Sequence, residues 1–166
     1  MRAEQENVVV GLGEIKITKD PQVVLTCLGL GSCIGLAAYD PVTRVAAMAH
    51  IVLPADKGTT GHSQSPAKYA NTAIPALLQE MKAHGGTLGR IVVKLAGGAR
   101  MSLAAGLDSI FKIGEQNVAA TTEALKAAGI RVTASDTGGE QGRTMKLYTE
   151  SGQVTIVTAG TQTNEL

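Results

Sequence analysis

Residues 34–53, IGLAAYDPVTRVAAMAHIVL, decide the fold class of this chain. Two apolar runs, each short enough to be a β-strand, flank the dipeptide Asp40-Pro41. Such a dipeptide favours a turn, because proline presets φ and the aspartate side chain can accept a hydrogen bond from the backbone that follows. The stretch therefore predicts a β-hairpin.

The segments on either side of this hairpin are rich in strands. Further strands are expected where Val, Ile and Thr are frequent or apolar and polar residues alternate. These segments are 7–11, 14–19, 22–28, 91–99, 130–139, 143–150 and 153–160, the last two joined at Ser151-Gly152.

Two helices are expected in the remaining sequence. The first is predicted to start at Pro66 with Ser65 as its cap and to end at Gly85, with a kink or a late start because of Pro75. The second covers residues 114–130 and ends at Gly129. Since strands and helices do not alternate regularly, we expect an α/β layered sandwich of mixed β-sheets rather than a doubly wound parallel sheet.

Composition narrows the class of protein. With 166 residues, 44% of them hydrophobic and 17% charged, we expect one folded domain that covers residues 1–166. The chain has no Trp, one Phe and a net charge of +1, which argues against a nucleic-acid partner. No apolar run is long enough to cross a bilayer and the N-terminus has no secretory pattern, so no membrane insertion and a cytoplasmic location are expected.

The same composition bears on cofactors and on the two cysteines. In the cytoplasm Cys27 and Cys33 are expected to be free thiols. The chain has only three histidines, and the two in HSQS and AHGG lack nearby ligand residues, so we expect no metal site and no other cofactor.

Cys33 is the first candidate for chemistry. It stands in GLGSCIG, residues 29–35, where the glycines leave the backbone open and amide N–H groups are free to face a ligand. Such groups would lower the pKa of the thiol and stabilise an oxyanion. The alternative is that the glycines permit close strand packing and Cys33 is a small buried hydrophobic residue.

His50 is the second candidate, because the predicted hairpin places it roughly opposite Cys33. If the register puts both side chains on one face, they have the form of an activated-thiol hydrolase with a base, a nucleophile and a hole lined by backbone. The alternative is a core histidine with a satisfied hydrogen bond.

Three loops are more ambiguous. LAGGARM, residues 95–101, is more simply a tight turn than an anion-binding nest. SDTGGEQGR, residues 135–143, either lines a cleft with Asp136, Thr137 and Arg143 or is a solvated loop. ADKGTTGHSQS, residues 55–65, is a polar loop next to the presumed site.

Several of these motifs together resemble a known family. GLGSCIGLAAYDP, KYANTAIPALL, KLAGGARM, IGEQN and DTGGEQGR are similar in order and spacing to the CheD family of bacterial chemoreceptor glutamine deamidases. The resemblance runs from about residue 11 to residue 157. It implies a sandwich similar to the catalytic domain of the cytotoxic necrotising factor toxins.

The resemblance also implies a Cys–His–Thr triad. Cys33 matches the nucleophile and His50 matches the base, while the amide of Cys33 and a loop neighbour, Gly31 or Ser32, would hold the oxyanion. The family's threonine lies six residues before the nucleophile, where this chain has Cys27. Either a bulge brings the preceding residue, Thr26, to the site, or Cys27 takes the place of the threonine.

The function that the resemblance implies is deamidation of specific glutamines in the cytoplasmic domains of chemoreceptors, through a cysteine thioester. A CheC-type phosphatase is a further partner of this family. Two other functions stay open. One is a non-catalytic module that docks on receptors or on the phosphatase, and the other is a cysteine hydrolase of a methyl ester or a small amide.

Overall fold

The computed structural model describes residues 4–56, 65–100, 112–158 and 163–166. Its strands are β1 (Glu6–Val9), β2 (Ile15–Thr18), β3 (Val23–Leu30), β4 (Ile34–Asp40), β5 (Val45–Ile51), β6 (Val92–Gly97), β7 (Val132–Thr137), β8 (Arg143–Tyr148), β9 (Val154–Thr158) and β10 (Thr163–Glu165). The helices are α1 (Ala70–Ala83), α2 (Ile113–Ala127) and a short 3₁₀ helix, Leu88–Arg90. Within these ranges, no helix combines the length and the apolar character needed to span a membrane.

The strands form two five-stranded sheets. Sheet 1 has the order β1-β3-β8-β9-β10, and sheet 2 has the order β2-β5-β4-β6-β7. Each sheet is mixed, since β1 pairs parallel with β3 and β6 pairs parallel with β7 among antiparallel neighbours. Both helices pack on sheet 2, which therefore lies between the helices and sheet 1. The predicted α/β layered sandwich of mixed sheets with two main helices is confirmed.

The predicted hairpin is the centre of sheet 2. β4 and β5 pair antiparallel from Ile34 opposite Ile51 to Asp40 opposite Val45, and every residue of both strands is buried. Along β4, Leu36 packs in the core under the helices, whereas Ala37 packs in the core between the sheets. A strand that is covered on both faces has no polar face, which explains why both runs are continuously apolar.

Helix α1 begins later than its predicted cap. Its first residue is Ala70, and the residue at its N-cap is Tyr69, not Ser65. Tyr69 is extended because it bridges in parallel to Leu53, and the Ala70 N–H donates to the Leu53 carbonyl. The prediction that this helix begins at Pro66 was therefore wrong. Of the two departures that were expected, a kink or a late start, the structure shows the late start.

The predicted ends of both helices are confirmed. Gly85 has φ +98 directly after α1, and Gly129 has φ +73 after α2, so each glycine takes the left-handed conformation that ends a helix. Two short elements of the described structure were not predicted, the 3₁₀ helix Leu88–Arg90 and the polar strand β10, which pairs with β9. Residues 57–64 of the polar loop lie outside the described residues.

A fully buried carboxylate fixes the turn of the hairpin. Asp40 pairs with the guanidinium of Arg90, at 3.0 and 3.1 Å, and accepts hydrogen bonds from the amides of Val42, Thr43 and Thr87. Burial by itself raises the pKa of Asp40, but the hydrogen bonds from Arg90 and the three amides outweigh burial and hold this pKa well below its usual range. The charged carboxylate thus ties the hairpin to the chain that leads into β6.

We predict that Asp40→Asn lowers the free energy of unfolding by about 2 to 3 kcal/mol, because the charge that Arg90 and the amides stabilise is lost. A carboxyl whose pKa is lowered on folding stabilises the protein above its unfolded pKa and loses that contribution as the pH falls. Wild-type stability should therefore decrease below about pH 4 more steeply than that of Asp40→Asn. Urea denaturation at pH 7 and in steps to pH 3 measures both effects.

The matched control is Asp20→Asn. Asp20 is exposed, and its carboxylate accepts one hydrogen bond among the described residues, from Gln22 N–H at 2.9 Å. Asp20→Asn should lower the free energy of unfolding by less than about 1 kcal/mol. Equal losses in the two variants, or the same acid dependence in wild type and Asp40→Asn, would contradict this account of the hairpin.

Candidate active site

The loop Gly31–Cys33 carries the chain from β3 in sheet 1 to β4 in sheet 2. All three of its residues are partly exposed, and all three of its carbonyls are bound by the rest of the protein. Gly31 O accepts from Ala99 N–H at 2.8 Å, Ser32 O from Asn117 Nδ2 at 2.9 Å, and Cys33 O from Gly98 N–H at 2.9 Å. We call residues 31–33 the nucleophile loop.

The amide groups of the nucleophile loop, unlike its carbonyls, make no hydrogen bond within the described structure. Among the residues that the structure describes, the N–H groups of Gly31, Ser32 and Cys33 have no hydrogen-bond acceptor. In a trans peptide the N–H of one residue points away from the carbonyl of the residue before it, so the bonds to the Gly31 and Ser32 carbonyls also fix the direction of the Ser32 and Cys33 N–H groups. Fixed, unpaired donors beside a thiol are what an oxyanion hole needs.

Glycines allow three segments to meet at this loop. A Cβ atom on Gly97, which has φ +106, would lie 2.1 Å from the Cys33 carbonyl oxygen. A Cβ atom on Gly114, in the first turn of α2, would lie 2.5 Å from the Ala99 carbonyl oxygen. For residues 95–100 the amides of Gly98 and Ala99 donate to protein carbonyls, which agrees with the tight turn rather than with an anion nest.

His50 shares a face of the hairpin with Cys33. Its cross-strand partner is Gly35. The next pair on the same face of the hairpin, Ala37 and Met48, belongs to the core between the sheets. Cys33 precedes Gly35 by two residues and packs against the same core, so the alternation of the strands directs it to the same side as His50. The structure therefore brings the two predicted side chains to one region.

The His50 ring is oriented by a backbone carbonyl. Its Nδ1 lies 3.0 Å from the Val10 carbonyl oxygen, and the ring is almost fully buried. Since a carbonyl only accepts, the neutral ring carries its proton on Nδ1, and Nε2 keeps the lone pair that a general base requires. The Val10 N–H in turn donates to the Thr26 carbonyl at 2.8 Å.

Thr26 reaches His50 through this main-chain relay and not through its side chain. The Thr26 hydroxyl donates only a long hydrogen bond, 3.5 Å to the Val24 carbonyl. Leu25 and Cys27 belong to the core between the sheets, so the pleat turns Thr26 to the other face of sheet 1. The register shift in β3 lies between Cys27 and Leu30 and does not change this direction.

Cys27 is the residue on the side of His50. A Cβ atom on Gly35, the partner of His50, would lie 3.6 Å from the Cys27 Cβ. Cys27 has no exposed surface, and burial, with a smaller contribution from the charge of Cys33, raises its pKa to about 12. Cys27 is thus an inert thiol, and a catalytic role of Thr26 stays a prediction.

The Cys33 thiol is neutral at rest. Burial raises its pKa above the ordinary value, and within the described chain no hydrogen bond joins its sulfur to the His50 ring. A protonated thiol and an imidazole whose Nε2 carries the lone pair can form a nucleophile–base pair, in which the proton moves when the thiol attacks.

The loop at residues 135–143 supports the site from outside. Arg143 is almost fully buried, pairs with the Asp136 carboxylate at 2.9 Å and donates to the carbonyls of Asp136, Gly138 and Gln141. The Gly138 N–H donates to the Gly97 carbonyl at 3.0 Å. The guanidinium therefore holds this loop, and Thr137 is half-buried at the end of β7.

Among residues 4–56, 65–100, 112–158 and 163–166, no three His, Cys, Asp or Glu side chains come together in a way that could hold a metal ion.

Comparison with known proteins identifies the family of this chain. A family model described as CheD chemotactic sensory transduction matches residues 52–158. The chain belongs to the CheD family. A protein of Symbiobacterium thermophilum named probable chemoreceptor glutamine deamidase CheD is 45% identical over 157 residues, which are 95% of this chain and 95% of that protein. The chemoreceptor glutamine deamidase CheD of Thermotoga maritima is 41% identical over 152 residues, 92% of each chain.

Solved structures offer a more distant similarity to this CheD-family chain. A hypothetical protein of Bacillus licheniformis, YfiH, superposes with a TM-score of 0.46 at 13% sequence identity. The superposition covers 81% of this chain and spans 60% of the length of that one. At this level it carries no argument about activity.

Two contributors to the site could not be singled out in the sequence. Asn117 lies in the motif IGEQN, which contributed to the family resemblance but gave no sign that its last residue contacts the nucleophile loop. Val10 acts through its carbonyl oxygen, a group that every residue has. Only the fold shows that the Asn117 amide contacts the nucleophile loop and that the Val10 carbonyl contacts the His50 ring.

We predict that the neutral His50 ring is protonated on Nδ1 and that Thr26→Val does not change this, because the Val10 carbonyl orients the ring. Proton–nitrogen correlation spectra of the histidine rings above pH 8 measure the tautomer, and His50→Gln assigns the signal. A ring protonated on Nε2, or a tautomer that changes in Thr26→Val, would show that the threonine hydroxyl orients the base instead.

Proposed function

We propose that the protein is a protein-glutamine deamidase that converts specific glutamines in the cytoplasmic domains of chemoreceptors to glutamate. The observation that carries this proposal is the nucleophile loop, in which Cys33 stands among unpaired amides whose peptide planes are fixed, with His50 on the same face. The names of the relatives, chemoreceptor glutamine deamidase, give the substrate class.

The first half of the reaction is acylation of Cys33. The sulfur attacks the side-chain carboxamide carbon of the glutamine while His50 Nε2 takes the thiol proton. The oxygen of the tetrahedral intermediate gains the negative charge and accepts hydrogen bonds from the amide of Cys33 and from that of Gly31 or Ser32. When the carbon–nitrogen bond breaks, the His50 imidazolium returns its proton to the leaving nitrogen, which departs as ammonia.

The second half is hydrolysis of the thioester. His50 Nε2 takes a proton from a water molecule, whose oxygen attacks the thioester carbon, and the same amides hold the second oxyanion. Cleavage of the carbon–sulfur bond gives glutamate and restores the Cys33 thiol. The sum is glutamine and water to glutamate and ammonia, so no cofactor takes part.

A protonated Cys33 thiol suits this substrate. A carboxamide brings no charge into the half-buried site, and burial keeps Cys33 protonated until the attack. Each turnover adds one negative charge to a receptor helix and so changes its charge pairing. The reaction would take place in the cytoplasm, where thiols stay reduced. A CheC-type phosphatase is the second partner that we propose.

The alternative is a non-catalytic module that docks on receptors or on the phosphatase. The raised pKa of Cys33 and the missing hydrogen bond to His50 are the observations that favour it. A module of this kind would bind receptor fragments without releasing ammonia.

We predict that Cys33→Ala abolishes deamidation, with a loss of at least about 1,000-fold, because no other described group can form the acyl intermediate. Incubation with a receptor cytoplasmic fragment measures ammonia release and a mass gain of about 1 Da at each modified glutamine.

Cys27→Ala is the control, since it removes the other thiol of the chain from the adjacent core. It should retain activity within about threefold, because the buried Cys27 thiol takes no part in the chemistry. Equal activity of wild type and Cys33→Ala would end the deamidase proposal. Binding of the fragment without any release of ammonia by the wild type would favour the docking module.

A further inference from the structure

A single side-chain amide from helix α2 joins the two ends of the hairpin. Asn117 has no exposed surface, and its Nδ2 donates to the Ser32 carbonyl and to the Val52 carbonyl, both at 2.9 Å. Ser32 directly precedes Cys33, and Val52 follows His50 by two residues. The chain segments of the proposed nucleophile and of the proposed base therefore share one anchor.

The bond to Ser32 acts on the peptide group that contains the Cys33 amide. The Ser32 carbonyl and the Cys33 N–H belong to one planar trans peptide and point in opposite directions. When Asn117 holds the carbonyl on one side, the N–H is aimed to the other side, where it has no partner in the described structure. A hydrogen bond to the carbonyl also polarises the peptide and strengthens its N–H as a donor.

The rest of the Asn117 side chain is left unsatisfied. Its Oδ1 is buried and has no hydrogen-bond partner among the described residues. A buried acceptor without a partner costs stability, and an apolar residue would fill the same space without that cost. The two donated bonds, and not packing, are thus what this residue contributes.

We propose that Asn117 is a positioning residue for the oxyanion hole. It orients the Ser32–Cys33 peptide so that the Cys33 N–H faces the oxygen on which charge develops, and through Val52 it holds the end of β5 near His50. The proposal deepens the deamidase function and rests on Cys33 as the nucleophile. It concerns only steps that form a tetrahedral oxyanion.

Two small reagents separate this role from a general effect on Cys33. Acylation by p-nitrophenyl acetate forms a carbon–sulfur bond through a tetrahedral oxyanion and releases p-nitrophenolate. Alkylation by iodoacetamide displaces iodide from a saturated carbon, with no oxyanion. Both rates are measured on the folded protein, with Cys33→Ala as the blank, so neither measurement needs a receptor.

In Asn117→Ala we expect acylation of Cys33 to slow about 10- to 100-fold while alkylation stays within about threefold of wild type. On receptor substrate kcat should fall by a similar factor with KM nearly unchanged, because the interaction is made in the transition state. If the variant does not fold, Asn117→Ser takes its place, since one hydroxyl can still donate to one of the two carbonyls.

Thr121→Ala is the matched control. Thr121 lies one turn further along α2, has no exposed surface, and its hydroxyl is likewise buried without a partner. In Thr121→Ala the rates of acylation and of alkylation of Cys33 should both stay within about threefold of wild type, because Thr121 holds no carbonyl of the nucleophile loop. The proposal is overturned if acylation and alkylation slow equally in Asn117→Ala, if neither slows, or if Thr121→Ala slows acylation as much.

These outcomes are distinct from failure of the proposed function. A wild-type protein that is acylated at Cys33 but leaves receptor glutamines unchanged would refute the deamidase function. The ratio of the two reagent rates in Asn117→Ala would still test the positioning role.

Discussion

The hydrogen bonds to the carbonyls of residues 31–33 are the constraint on which the site depends. Three different donors, two amides from the turn after β6 and the Asn117 side chain from α2, hold three consecutive peptide groups. Each bond reaches across the chain by more than sixty residues, so the loop has its conformation only in the finished fold. Because the Gly31 and Ser32 carbonyls are held, the N–H groups of Ser32 and Cys33, which have no acceptor among the described residues, have fixed directions and can stabilise the proposed oxyanion.

The position of sheet 2 explains why these donors lie where they do. Its strands β4 and β5 are covered by helices on one face and by sheet 1 on the other. Alanines in both strands let the layers approach closely, and Gly35 in β4 leaves room for Leu30 and Met145 beside the site. The nucleophile loop crosses between the sheets at the end of this layer, where the turn after β6 and the first turns of α2 both reach it. The close packing around sheet 2 thus also brings together the donors that fix the amides of the nucleophile loop.

Much of this arrangement was predictable from local patterns. The hairpin followed from two apolar runs around Asp40-Pro41, and its turn placed Cys33 and His50 roughly opposite each other. The register that decides whether they share a face is known only from the structure. The start of α1 was not predictable from its sequence, because the bridge between Tyr69 and Leu53, distant in the chain, overrides the Ser-Pro signal. The groups that orient the base and the loop, the Val10 carbonyl and the Asn117 amide, were missed for a similar reason. A backbone carbonyl has no sequence signature, and an asparagine in a helix shows its role only through what it touches.

The central claim is that the glutamine side chain becomes covalently attached to Cys33. Rapid acid quenching of the protein mixed with a receptor cytoplasmic fragment, followed by mass spectrometry of the digest, tests it most directly. The account predicts a thioester at Cys33 whose mass equals the two peptides less one ammonia, formed before glutamate accumulates and absent in Cys33→Ala. Glutamate that accumulates with no such adduct, or an adduct on any other residue, would contradict the account.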